Sequence, residues 1–103
     1  VEEDFELASG VQVITLPGHT PGVLGLMVHL PNSGVMIFPQ DCIYTAENYG
    51  PPIRYSGIMY DLAAYEQSIE KVRALAERYS ARVIFAHDMD FFQTLKLAPQ
   101  FYE

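Results

Sequence analysis

Three side chains in this sequence have the types and positions of metal ligands: His19, Asp41 and His87. Each stands just past a run that reads as a β-strand. Val11-Gln12-Val13-Ile14-Thr15 precedes the first, Val35-Met36-Ile37-Phe38 the second, and Ala81-Arg82-Val83-Ile84-Phe85-Ala86 the third. Strand ends in one sheet lie close in space, so residues just beyond them can converge. Two imidazoles and a carboxylate suit zinc or another first-row divalent ion. His19 has the most pronounced setting, Leu16-Pro17-Gly18-His19-Thr20-Pro21-Gly22. Proline fixes φ and glycine admits φ > 0, so this loop is tight and pre-set, as a ligand held at a fixed angle requires. The competing reading is an ordinary turn with an exposed histidine. A carboxylate can bridge two ions that together polarise a carbonyl and activate water, but three ligands do not complete such a site. The remaining ligands must come from elsewhere.

The elements that position these residues can be read in order. Phe5–Leu7 is a short strand candidate, and Ser9-Gly10 a turn. Val11–Leu16 alternates and forms a second strand. Val23–Leu30 is a mostly apolar run joined through Pro31-Asn32-Ser33-Gly34 to Val35–Phe38, which together predict a hairpin. Leu24 to Leu30 is apolar on both sides, the pattern of a strand buried on two faces. Ile43 to Tyr60 is expected to be irregular, broken by Gly50-Pro51-Pro52 and Ser56-Gly57, and it carries Tyr44, Tyr49, Tyr55 and Tyr60. Those tyrosines either line a pocket or cover the core.

Asp61 reads as the cap of a helix over residues 61–79. Leu62, Tyr65, Ile69, Val72, Leu75, Ala76 and Tyr79 recur at helical spacing. Glu66, Glu70, Lys71, Arg73, Glu77 and Arg78 form its solvated face. Ala81–Ala86 is a final buried strand. Asp90–Leu97 is a short helix capped by Asp88 or Asp90 and followed by Pro99. The order of elements predicts an α/β (α+β) domain: a mainly antiparallel or mixed sheet with one long helix and a short C-terminal one.

Composition narrows the function classes. The chain has 103 residues, half of them hydrophobic and 18% charged, which is globular. Net charge is −7, and most of the few basic residues lie along one helical stretch. A nucleic-acid partner needs a clustered basic face, and an anionic membrane surface also selects for basic charge, so neither is expected. No apolar run is long enough to cross a bilayer. The start Val1-Glu2-Glu3-Asp4-Phe5 does not read as a signal peptide, and a cytoplasmic location is expected. The single Cys42 cannot form an internal disulfide, and beside Asp41 it reads as a small buried hydrophobe rather than a nucleophile. His29 reads as an ordinary exposed residue, and the four methionines as packing groups.

Gly18-His19-Thr20-Pro21-Gly22, then Asp41, then His87 resembles the C-terminal half of a metallo-β-lactamase-fold hydrolase. The branch it is most similar to is the N-acyl homoserine lactone lactonases, through Asp41-Cys42-Ile43-Tyr44-Thr45 and Ala86-His87-Asp88. The resemblance implies half of an αββα sandwich, spanning residues 1–103 as one domain. It implies a two-zinc site, or one holding other divalent first-row metals, with His19 on the first ion, Asp41 bridging and His87 on the second. It implies that Tyr44 and Asp41 are catalytic, Tyr44 facing the carbonyl of a small ester or lactone substrate. Thr20 and Asp88 are candidate supporting residues: Thr20 within its own loop, Asp88 either orienting His87 or capping the following helix. The family's His-x-His-x-Asp-His run is absent. Val23 stands where the family has a second histidine, and Gln40 where it has glycine. The expected function is therefore a portion of a lactone-opening hydrolase, inactive without the missing ligands. Two alternatives stand beside it: a non-catalytic module that self-associates through its exposed sheet, and a hydrolase of the same fold acting on thioesters, phosphodiesters or β-lactams. A half-sandwich leaves one sheet face needing a partner, so either self-association or a longer gene product is expected.

Overall fold

A computed structural model describes residues 2–55, 57 and 59–103. Val1, Ser56 and Ile58 lie outside the described residues, so the break expected at Ser56-Gly57 is described only at Gly57. The strands β1 (Phe5–Ala8), β2 (Val11–Thr15), β3 (Leu24–Leu30) and β4 (Gly34–Phe38) run antiparallel in chain order. A fifth strand, β5 (Arg82–Val83), joins β4 in parallel and makes the sheet mixed. Up to residue 38 the elements fall where alternation and turn chemistry place them, with Leu30 opposite Gly34 across the hairpin. A parallel neighbour requires a crossover. Here it comprises a 3₁₀ turn at Gln40–Cys42, the helix α1 (Ala46–Tyr49), a loop, and the helix α2 (Leu62–Tyr79).

The α2 helix begins where its cap demands: Asp61 accepts from the Ala64 amide at 3.0 Å. Its buried side, Tyr65, Ile69 and Val72, packs on Ile14, Met27, Ile37 and Val83 from one face of the sheet. Leu16, Val23, Cys42 and Ile43 seal the end of that core nearest the strand tips. Cys42 is 1% exposed, and burial pushes its thiol up to about 12, in line with a packing role.

The helix differs from expectation at three residues. Leu62 is exposed, because it lies in the first turn beyond the sheet. Lys71 is drawn off the solvated face to Asp4 at 2.7 Å and the Thr15 carbonyl at 2.9 Å. Arg73 lies over the Tyr49 ring at 4.8 Å and pairs with Glu70 at 2.7 Å. Long basic side chains can lay their stems along apolar surface while the charge finds a partner.

Three further expectations are corrected. The stretch 43–60 is not wholly irregular: Thr45 and Asn48 form a reciprocal capping box that starts α1. The strand expected over Ala81–Ala86 is only Arg82–Val83, and of those residues Val83 alone is buried. The ladder ends because β4 ends: after Ile84 donates to the Ile37 carbonyl at 2.8 Å, the chain turns to Tyr44, whose carbonyl accepts from the His87 amide at 3.0 Å. The helix expected at Asp90–Leu97 is the single turn α3 (Met89–Phe92), with Asp88 as its cap. The Thr94 hydroxyl takes the Phe91 carbonyl at 2.7 Å, offering the backbone an alternative to a further helical turn.

The face of the sheet away from α2 is unevenly covered. Register puts Val13, Leu26, Val28, Met36 and Phe38 on it. Val13 and Met36 are buried, whereas Leu24 and Phe5 at the margin are exposed. Leu24–Leu30 is therefore fully buried on the helix side alone, at Gly25 and Met27. The C-terminal segment supplies part of the cover. Leu95, Phe101 and Tyr102 line a groove with Val28, Met36 and Ile84, and the Glu103 carbonyl accepts from the Asn32 amide at 2.8 Å. Among the described residues no helix is long and apolar enough to cross a membrane.

Candidate metal centre

The His19 loop is rigid because α2 holds it. The Leu16 amide donates to the Val23 carbonyl at 2.9 Å and closes the loop. The Pro17 carbonyl accepts from the buried Ser68 hydroxyl at 2.6 Å. The Gly18 carbonyl accepts from the Asp61 amide at 2.9 Å. Gly18 has φ +145°, and a Cβ there would stand 2.4 Å from the Tyr65 Cα. No other residue type leaves room for the helix to approach so closely. Thr20 is exposed, and its carbonyl accepts from the Gly18 amide at 3.1 Å.

Asp41 rides the 3₁₀ turn that follows β4. The residue before it, Gln40, has φ +53°, a left-handed backbone that glycine adopts without steric cost. Thus the position where Gln40 replaces the resembling family's glycine is a position with a physical reason to be glycine. Val23, at the other departure, is a core residue and faces away from any ligand role.

The candidate residues form a connected row. His87 Nε2 and Asp41 Oδ1 are 3.2 Å apart, with both side chains 56% exposed. The Tyr44 ring meets the His87 ring edge-on at 4.5 Å between centroids. On its other side the Tyr44 hydroxyl lies 3.2 Å from His19 Nε2, with the rings 5.6 Å apart. His87 and Asp41 are thus brought together directly, and His19 joins them through Tyr44. His29 is remote, on β3, where it packs edge-on against Tyr79 at 5.3 Å and is exposed.

Asp88 caps α3 through Oδ1, which accepts from the Phe91 amide at 3.0 Å. Its other oxygen accepts from the Ala46 amide, also at 3.0 Å. Those two amides, Ala46 first, hold its carboxyl below the ordinary carboxylate value. The Ala46 bond links positions 42 residues apart and had no sequence signal, since an acid before a helix reads as a cap and nothing more. The placement of Tyr44 between two histidines was equally invisible, because it depends on the turn at Gln40–Cys42.

The donor chemistry fits a divalent ion in part. Two donors each about 2.0–2.1 Å from a tetrahedral zinc stand about 3.3 Å apart, close to the His87–Asp41 spacing. Among the described residues no group of three His, Cys, Asp or Glu side chains lies close enough to hold an ion. The chain thus presents a ligand pair with a third imidazole one ring away.

No family model matches the chain. It is 39% identical over 104 residues to the N-acyl homoserine lactonase AiiB of Agrobacterium fabrum, covering 99% of this chain and 38% of that protein. It is 30% identical over 101 residues to an N-acyl homoserine lactonase of Bacillus cereus, covering 98% of this chain and 40% of that one. A solved N-acyl homoserine lactone hydrolase with N-hexanoyl-L-homoserine at its catalytic metal centre superposes with a TM-score of 0.87. That match is 27% identical and covers 97% of this chain and 39% of the other. A dizinc quorum-quenching lactonase, AidC, shares the fold at a TM-score of 0.63 and 24% identity. The chain spans about two fifths of the length of these curated relatives and matches their C-terminal part. The five-stranded mixed sheet with its long and short helices is that part of the metallo-β-lactamase fold.

Proposed function

We propose that this chain, whose relatives are N-acyl homoserine lactonases, is the C-terminal portion of a metal-dependent lactone hydrolase. The observation that supports this most is the row His19, Tyr44, His87, Asp41 along one rim of the sheet. In this reading His19, Asp41 and His87 hold divalent ions, zinc first among them, and Asp41 is the ligand placed to be shared. Ions held there supply Lewis-acid polarisation of a carbonyl and lower the pKa of water. The chain's own residues do the rest. The ligand side chains sit at solvent-exposed strand ends, where a substrate can reach them. The Tyr44 hydroxyl, bonded to His19, is the donor for the oxygen of a lactone carbonyl as its charge develops. The remaining ligands belong to the part of the fold that the relatives possess beyond this two-fifths.

The test is hydrolysis of an N-acyl homoserine lactone by the product of the reading frame extended upstream of Val1, with Asp41→Asn and His87→Ala beside it. Ring opening that falls about a hundredfold or more in either variant is expected. An extended product that binds zinc but leaves the lactone intact while cleaving a thioester, phosphodiester or β-lactam would replace this substrate class with another of the same fold.

A second reading has one observation in its favour. Phe5, Leu24 and Phe101 are exposed around the sheet face that α2 does not cover. A chain that acts alone would be a non-catalytic module assembling with copies of itself through that face. Light scattering after size exclusion decides it: a concentration-independent dimer supports assembly, and a monomer removes it.

A further inference from the structure

Asp88 is placed to do more than start a helix. We propose that Asp88 is a positioning residue that clamps the loop carrying Asp41 and Tyr44 to the loop carrying His87. The inference rests on the functional reading above for what the clamp serves. Its two oxygens are divided between the loops: Oδ1 accepts from Phe91 within its own, and Oδ2 from Ala46, two residues beyond Tyr44. The Tyr44 carbonyl completes the bridge by accepting from the His87 amide at 3.0 Å. Two cross-links in succession, Tyr44 to His87 and Ala46 to Asp88, hold the two backbones side by side where the Tyr44 and His87 rings meet. β-Ladder bonds cannot do this, because β5 ends at Val83 and β4 at Phe38. A carboxylate suits the job, since it offers one acceptor oxygen to each amide, Oδ1 to Phe91 and Oδ2 to Ala46.

The cap and the clamp are separable by substitution. Serine is a good helix cap but is too short to reach the second loop. In a ¹⁵N-labelled chain, Asp88→Ser should keep the Phe91 amide protected from hydrogen exchange. It should also speed exchange at Ala46 about tenfold. The Tyr44–His87 ring cross-peak should weaken, and the zinc concentration that shifts the His87 imidazole nitrogens should rise about tenfold. Amides of β2–β4 report that the sheet is intact. Should Asp88→Ser lower sheet protection too, Asp88→Asn decides, because one of the two acceptor oxygens becomes an NH2 donor and the amide it faces loses its partner. Wild-type exchange at Ala46 and a full-strength ring cross-peak in both variants would overturn the clamp and leave Asp88 a cap. If zinc leaves the wild-type imidazoles unmoved, the metal reading fails, while the exchange and cross-peak results still judge the clamp.

Discussion

His19 and His87 are both delivered by strand ends to one rim, yet they are held by opposite means. The His19 loop is fastened by close packing. Leu16 is fully buried, Gly18 lies against the α2 backbone, and Ser68 reaches in to hold Pro17. The His87 loop stands in water, with Asp41 and His87 more than half exposed and polar bonds its main ties. Packing resists deformation and fails abruptly, whereas exposed hydrogen bonds contribute less each and fail one at a time. The rim therefore pairs an imidazole held by packing with one held by a few exposed hydrogen bonds.

The sharpest way to break this contrast is Gly18→Ala. The new methyl would collide with the Tyr65 backbone in a conformation alanine disfavours, so the loop or the helix must move. A loss of about 3 kcal/mol or more in urea unfolding is expected, and a loss under about 1 kcal/mol would show that packing does not fix this loop. Ser68→Ala probes the same loop more gently. It strands the Pro17 carbonyl in a part-buried setting and should cost about 1–2 kcal/mol.

Cys42, packed between the loops, makes their common support sensitive to alkali. Its thiol titrates near 9 when unfolded and is raised to about 12 by burial. The unfolded chain therefore loses that proton first. Stability is complete below pH 9 and falls as pH rises toward 12, by up to about 1.4 kcal/mol per pH unit. Cys42→Ala should flatten that part of a stability-against-pH curve. An unchanged slope would assign it to Tyr65, whose hydroxyl burial also raises to about 12.

Gln40→Gly has the smallest expected effect and the opposite sign. Relief of the left-handed backbone before Asp41 outweighs the added freedom of glycine in the unfolded chain. A gain of about 0.5–1 kcal/mol by thermal or urea unfolding is expected, with the His19 resonances unmoved. A loss would show that the Gln40 side chain stabilises the rim.

Much of this was legible from residue types. Alternation and turn residues located β1–β4, because those patterns are local, and Asp61 marked the start of α2. His19, Asp41 and His87 were found by type and by their place after strand-like runs, and the resemblance of their surroundings named Tyr44. What was not legible is what depends on distant contacts. Buried-strand composition overran β5, since nothing in Ile84-Phe85-Ala86 says that its partner strand has ended. The Thr45–Asn48 capping box lay hidden in a stretch read as loop. The restraint on Gly18 comes from Tyr65, and the link from Asp88 comes from Ala46, both far along the chain. Lys71 looked solvated because its partner Asp4 is 67 residues away.

The central claim is that His19 and His87 share one divalent-ion centre while His29, near the opposite end of β3 and packed on Tyr79, does not. Zinc titration of the chain, followed through the imidazole nitrogens of all three histidines by NMR, tests it directly. The account predicts that His19 and His87 shift together as zinc is added, that Asp41→Asn weakens both responses, and that His29 stays in place. Equal shifts at all three histidines, or none at His19 and His87, would contradict it.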